Sequence, residues 1–465
     1  MESLNVALPD AQRIYLKVSP ATELPEDIVR EIFIAAMPRL RDIDNGMSPK
    51  ECPLLLCQIC SAWRHLAFTT PRLWASLRIR VDLADICTPS RMQQLADKAT
   101  QWLSRSGALP LSISLYSQIM GSGCDVSPLF SALAAFSSRW KDIEVAPPFP
   151  DSLEALSQLS VEKVPMLTSV SLEKRCCEGV PLPCHLLPLL TAPSLRSLCI
   201  VNEDNLADLQ LHWTNLTHLA LLAQERWTSL TIHTILAILG QCSQLETCEL
   251  DLTGYDDDPA LAILSPVSLP HLRRLIVRDE IGPTESSKLF MNLQLPDVRS
   301  LMYFGFSEEG DPGPPSHMFY PSLEHLSLSI SGLLTSNLIS ALQRVSSLCE
   351  LGLHVEPVLP PAMDFQEPSP DPCFLEYFTN TSGPLLLPNL SRLWLEGLYA
   401  VSDNSLLHFI ESRSAAPSSK LTQITAHFAR LMQGNVEPLL AAARASDMKL
   451  QLVFQPPSPP PSIFE

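Results

Sequence analysis

Along most of the chain, apolar residues return in a short unit, L-x-x-L-x-L, and not in the longer rhythm of an amphipathic helix. The unit reads LTSVSL from Leu167, LRSLCI from Leu195, LTHLAL from Leu216, LETCEL from Leu245 and LRRLIV from Leu272. It continues as VRSLMY from Val298, LEHLSL from Leu323, LCELGL from Leu348, LSRLWL from Leu390 and LTQITA from Leu421. Successive starts are 28, 21, 29, 27, 26, 25, 25, 42 and 31 residues apart. Such spacing is that of a solenoid, in which each repeat is one supersecondary unit that buries its apolar face only against its neighbours. Because side chains alternate along a strand, the spaced leucines go inward and the residues between them face out.

Helix-like pieces separate the units: TIHTILAILGQC with Gly240 as its C-cap, SNLISALQRVSS and NSLLHFIESRS. Prolines precede several units, as in APSL, LPHL, LPDV, YPSL and LPNL, where they stop a helix and feed an extended segment. LPLSISLY and RWKDIEV, with Trp140, Ile143 and Val145 in the leucine slots, read as earlier and less regular turns. The fold class expected is therefore α/β, an irregular leucine-rich-repeat solenoid over 81–454 with a parallel sheet on its concave face. No consensus asparagine follows the strands.

The N-terminal part is different. LPEDIVREIFIAAMP, from Leu24, starts with Pro25 in a tolerated first-turn position and with Glu26 and Asp27 beside the positive helix end. Ile28, Ile32 and Phe33 then recur at helical spacing until Pro38 ends the run. PLLLCQICSAWRHLAF follows as a second amphipathic helix, with Leu56, Ile59, Cys60, Trp63, Leu66 and Ala67 on its apolar stripe. In TTPRLWASLRI, Pro71 breaks that helix, and Leu73, Trp74, Leu77 and Ile79 lead toward a strand. Helices below about 12–15 residues are marginal alone in water, so these must lean on something else.

The order LPEDIVREIF, LLLCQICSAWRHLAF, TPRLWASLRI resembles the F-box, most closely the version followed by a TPRLW segment that is common in mushroom-forming fungi. It covers about residues 22–80, and Leu24, Pro25, Ile28, Ile32, Phe33, Ile59, Cys60, Trp63 and Arg64 coincide with the motif's usual types. The loop RLRDIDNGMSPKEC is longer than the usual link between the helices. With the repeats that follow, the resemblance is to the leucine-rich-repeat class of F-box proteins. It implies docking onto a Skp-family adaptor and, through it, a cullin–RING ubiquitin ligase. Leu24, Pro25, Ile28, Ile32, Leu56, Ile59 and Trp63 are then the expected adaptor-binding residues. The alternative for Ile32, Phe33 and Cys60 is plain packing on the next domain.

Composition narrows the partners. The formal charge of −18 opposes nucleic acid and anionic membrane, leaving a protein or a small ligand. No 18-residue apolar run and no signal-peptide pattern occurs, and thirteen cysteines without framework spacing fit reduced core thiols, so a cytoplasmic or nuclear chain is expected. The sequons at Asn215, Asn380 and Asn389 then carry no glycan. Residues 1–21 read as a flexible segment, 356–384 as a proline-rich and acidic inserted loop, and 455–465 as a proline-rich tail.

On the outward face, the register places Glu249 and Asp251, then Arg274, Ile276 and Arg278, then Ser327, Gly352, Trp394 and Glu396. Glu249, Arg274, Arg278 and Trp394 are the candidate target contacts: the tryptophan as an anchor, the charges as a clamp or as cross-strand pairs. No G-x-S-x-G, H-E-x-x-H, G-x-x-x-x-G-K-[ST] or G-x-G-x-x-G is present, so no enzyme is expected. Cys52, Cys57, Cys60 and His65, and separately Cys176, Cys177, Cys184 and His185, are weak metal candidates. Neither a metal nor a cofactor is expected. The function expected is a substrate receptor that holds a protein target for the ligase. A non-ligase scaffold or a small-ligand-binding repeat protein is the alternative.

Overall fold

Each repeat unit becomes a strand because its alternation buries every second side chain while its backbone pairs with the next unit. In the computed structural model the strands are β1 Ser76–Val81, β2 Leu111–Ser117, β3 Trp140–Ala146, β4 Ser169–Glu173, β5 Ser197–Val201, β6 His218–Leu222 and β7 Thr247–Leu252. They continue with β8 Val267–Ser268, β9 Arg274–Asp279, β10 Leu293–Gln294, β11 Ser300–Gly305 and β12 His325–Ser329. The last are β13 Glu350–His354, β14 Arg392–Glu396, β15 Gln423–Phe428 and β16 Lys449–Phe454. The residues described are 24–38, 47–81, 88–117, 125–146, 156, 159–173, 187–202, 206, 211–223, 230–254, 266–305, 315–330, 335–354, 375, 378–379, 385–397, 401–428, 430–432 and 434–454. The N-terminal segment 1–21, the tail 455–465, most of the loop 356–384, and the cluster Cys176, Cys177, Cys184 and His185 lie outside them.

Fourteen strands form one parallel sheet in the order β1-β2-β3-β4-β5-β6-β7-β9-β11-β12-β13-β14-β15-β16, and β8 pairs with β10 in a small ribbon of its own. All ten L-x-x-L-x-L units sit on strands of the large sheet. The register is continuous. One row of inward residues runs Leu198, Leu219, Cys248, Leu275, Leu301, Leu326, Leu351, Leu393 and Ile424, and a second runs Ile200, Leu221, Leu250, Val277, Tyr303, Leu328, Leu353, Leu395 and Ala426. Every one of these is buried.

The second residue of each unit ties one turn to the next. Thr217 N–H donates to Arg196 O, Glu246 to Thr217, Arg273 to Glu246, Arg299 to Arg273, Glu324 to Arg299, Cys349 to Glu324 and Ser391 to Cys349, all at 2.8–2.9 Å. A polar residue is tolerated there because only its backbone is needed.

The helical head is sewn to this stack. Helix α1, Glu26–Ala35, buries Val29 and Phe33. The segment expected to form one second helix is two: α2, Leu56–Ile59, and α3, Ser61–Phe68, with Cys60 extended between them. The break has a local cause, since Cys60 acts as the α3 N-cap and its sulfur accepts from Trp63 N–H, while Arg64 Nε donates to Cys57 O across the break at 2.8 Å. Trp74 is fully buried, donates through Nε1 to Ala67 O at 2.8 Å, and meets Trp102 edge-on with centroids 4.8 Å apart. All of strand β1 but Val81 falls within residues 22–80, so that stretch already contributes to the solenoid sheet.

Gly240 ends the helix Ile232–Leu239 as expected but in right-handed conformation, so it is not the left-handed cap that glycine usually supplies. Cys242 and Cys248 are buried free thiols, and burial lifts Cys242 to about 12, so they behave as small core hydrophobes.

The core is one continuous apolar cluster, but each repeat touches only its neighbours, so damage should stay local. Leu275→Ala, at a fully buried position of β9, should cost ~2–5 kcal/mol by urea denaturation. Hydrogen exchange in the same variant should rise most in β7 and β11, the two strands flanking β9.

Candidate functional site

Two surfaces of the described residues present exposed groups. The first is on the head. Along α1, Val29 and Phe33 are separated by one turn and point inward, whereas Ile28 and Ile32, one position earlier, are 46% and 45% exposed. At about 100° per residue, Phe33 lies far round the helix from Ile28, so the three apolar residues expected on one face divide between two. Leu24 extends the outer stripe, and Leu55, just before α2, and Ile59, at its end, are exposed as well. Leu56 is buried, and Trp63 is half-buried against Phe33 with ring centroids 4.9 Å apart. These two brace the head from inside and do not present themselves, because α2 turns its Leu56 and Cys57 side to the core. Pro25 is exposed at the start of α1.

What holds the outer stripe in place is polar. Arg30 Nη1 donates to Thr69 O at 2.9 Å and to Thr70 Oγ1 at 2.6 Å, at the C-terminal end of α3. Helix α1 thus has fixed orientation although much of its apolar surface faces out.

The second surface is the open side of the sheet. Three outward rows cross β11 to β15. The first runs Ser300, His325, Glu350, Arg392 and Gln423; the second Met302, Ser327, Gly352, Trp394 and Thr425. In the third row His354 sits beside Glu396, and Glu396 beside His427. The middle row dips at Ser327 and Gly352 between two large residues, leaving a cavity of about 370 Å³. Gly352 keeps it open: a Cβ there would stand 2.8 Å from Ser327 Oγ.

Around this hollow the polar groups are paired in part. Arg392 is ion-paired with Glu350, which also takes His325 Nδ1 at 3.0 Å. His354 hydrogen-bonds Ser327 Oγ, stacks on Phe304 with centroids 5.4 Å apart, and lies 3.7 Å from Glu396. Trp394 is 48% exposed and meets His427 edge-on at 5.8 Å.

The charged candidates further along resolve differently. Arg278 Nη2 reaches Glu249 at 2.6 Å and its Nη1 reaches Asp251 at 2.9 Å, so this guanidinium is spent on cross-strand pairs. Asp251 is buried and also accepts from Ala223 N–H at 2.9 Å. Burial pushes its carboxyl upward against the pull of those donors. Arg274 stands apart, with Met302 Sδ at 3.7 Å, so of the two readings, clamp or cross-strand pairs, Arg278 forms the pairs and Arg274 takes no part in them. Arg278 lies opposite Asp251 with Glu249 one pleat away on the same side, so its fork spans both carboxylates, whereas Arg274 lies opposite Thr247.

Glu350, His354 and Arg392 were not singled out by the repeat reading. The signal was there, because they occupy the third and seventh positions of units whose fifth positions were read. Among the described residues no group of three or more His, Cys, Asp or Glu is placed to hold a metal ion, and no helix is long and apolar enough to cross a membrane.

No protein-family model matches the chain, and no curated protein matches it in sequence. Among solved structures it is similar to one described as the crystal structure of the Rad7 and Elc1 complex in yeast. That match has a TM-score of 0.36 and 16% identity, and it covers 88% of this chain and 90% of that chain.

Burial holds the pKa of His354 and of His325 below the ordinary histidine value, with Glu396 and Glu324 respectively pulling the other way. In the unfolded chain both titrate near about 6.5, so between the two values the unfolded state binds more protons. Their contribution to stability is complete above about 6.5 and is lost as pH falls through the folded values. The urea midpoint should therefore drop between pH 7.5 and pH 5, and His354→Asn should show a smaller drop.

Proposed function

We propose that the chain is a non-catalytic substrate receptor, with the head docking a Skp-family adaptor of a cullin–RING ubiquitin ligase and the solenoid holding a target protein. The observation that carries the reading is the outer stripe of α1. Leu24, just ahead of the helix, and Ile28 and Ile32 on it are exposed, the helix's other apolar side is already buried, and Arg30 fixes its orientation. An ordered apolar stripe left in water marks a protein contact. The residues of this stripe are among those through which residues 22–80 resemble the F-box, and Leu55 and Ile59 add to the exposed apolar surface of the head.

The rest of the chain suits a receptor. A parallel sheet of fourteen strands offers one long open side, and the functional reading needs no reaction at the head. The receptor works by proximity: a target held on the open face meets the ligase's charged conjugating enzyme at a raised effective concentration. Its lysines are then modified by other subunits. The proposed location is cytoplasmic or nuclear, where such ligases act.

Replacing Leu24, Ile28 and Ile32 together by alanine removes surface and leaves Val29 and Phe33 in the core, so the fold should persist. Capture of adaptor and cullin from cells should fall at least ~10-fold, while Met291→Ala, an exposed apolar change elsewhere, should leave it unchanged. Undiminished capture by the triple variant, with circular dichroism as for the parent, would remove the docking assignment.

A further inference from the structure

The hollow on β11 to β14 has a chemistry of its own. Its middle row carries Met302, Ser327, Gly352 and Trp394 on successive strands. Neighbouring strands are about 4.8 Å apart, so the methionine and the indole stand roughly 14 Å apart with two short residues between them. That is a trench one side chain wide and deep enough to matter, since at about 370 Å³ it lies near the small end of ligand pockets. Trp394 packs on His427 toward β15 and lines the trench on the Gly352 side.

Charge at the trench is unbalanced. Two carboxylates, Glu350 and Glu396, line it against one guanidinium, Arg392. Arg392 pairs with Glu350, in the first row. Glu396 is left with His354, which burial keeps neutral at physiological pH, so its negative charge has no cationic partner among the lining residues. Glu396 is about half exposed, and it is two residues from Trp394 on the same side of the strand. The whole chain adds a field of the same sign, with a formal charge of −18.

From the exposed indole, the glycine floor and the unmatched carboxylate, we infer that the trench receives an arginine side chain of an extended segment of the target protein. The guanidinium lies flat against Trp394 and donates its paired N–H groups to Glu396, while its methylene stem covers Gly352. A planar cation suits this slot better than an ammonium, because it stacks and donates along one edge at once. A phenylalanine would use the indole but leave Glu396 desolvated and unmatched, which opposes it. The inference deepens the receptor reading by naming the chemistry of its target, and it rests on that reading only for the identity of the occupant as a protein.

The test uses the full chain without adaptor, so its outcome is separate from that of the head. The protein is labelled with 5-fluorotryptophan, and the Trp394 signal is assigned by its loss in Trp394→Phe. Titration with acetyl-AARAA-amide should shift that signal saturably. The peptide with citrulline in place of arginine should bind at least ~5-fold more weakly, as should the phenylalanine peptide, corresponding to about 1 kcal/mol. Glu396→Gln should weaken the arginine peptide by a similar factor without changing the other tryptophan signals, and Gly352→Val should abolish its binding by filling the floor. Should the arginine peptide give no saturable shift, or the citrulline or phenylalanine peptide bind as tightly, the inference is wrong. A chain that captures adaptor yet shows no preference for arginine would retain the receptor role and lose this pocket.

Discussion

The structure depends on the burial of two parallel rows of apolar side chains against the inner side of one sheet. Each residue in the rows is out of water only because the units before and after it cover its flanks, so no turn of the stack is stable by itself. That dependence explains the tolerance seen elsewhere. The second residue of each unit supplies only a backbone N–H to the previous turn, and threonine, arginine, glutamate, cysteine and serine all serve. The third, fifth and seventh positions face outward and are free to vary. Function can therefore be written on the outward rows without touching the inward ones.

The ends of such a stack need different treatment, because an edge strand is paired on one side only. At the C-terminal end, Arg430 lays its guanidinium over the rings of buried Phe428 and half-buried Phe454 and donates to Val401 O and Asp403. At the N-terminal end the helical head does the work. Trp74, buried between Ala67 and Trp102, joins head to stack, so the head is both a cap and a display. A cap must be apolar inside, and here it is apolar outside as well. The short first helix leans inward on its own chain through Val29 and Phe33, and it keeps Ile28 and Ile32 for another molecule in the receptor reading.

The open face follows the same economy of parts. A glycine and a serine on adjacent strands create a hollow with no break in the sheet, because removing a side chain from an outward row costs the inner rows nothing. The tryptophan beside the hollow stays half exposed where most surfaces would hide it. Between β7 and β9 the opposite choice was made, and Arg278 with Glu249 and Asp251 closes on itself as a structural pairing.

Repeat period, strand positions, the inward residues and the helical character of the head were legible in the sequence, since each is a matter of local spacing and alternation. Trp394 and Gly352 could be placed on the outward face for the same reason. The break at Cys60 was not legible, because the spacing of Leu56, Ile59 and Trp63 fits one helix, and only the packing of Phe33 and the cap from Cys60 select two. Nor was the division of α1 into an inner and an outer apolar side, since periodicity gives an angle but not which side meets the core. The meeting of Arg278 with Glu249 and Asp251, and of Trp394 with an unmatched Glu396 over Gly352, belongs to the tertiary structure alone. Those contacts join residues from different repeats, and their distances depend on strand register and side-chain reach, which no single stretch of sequence carries.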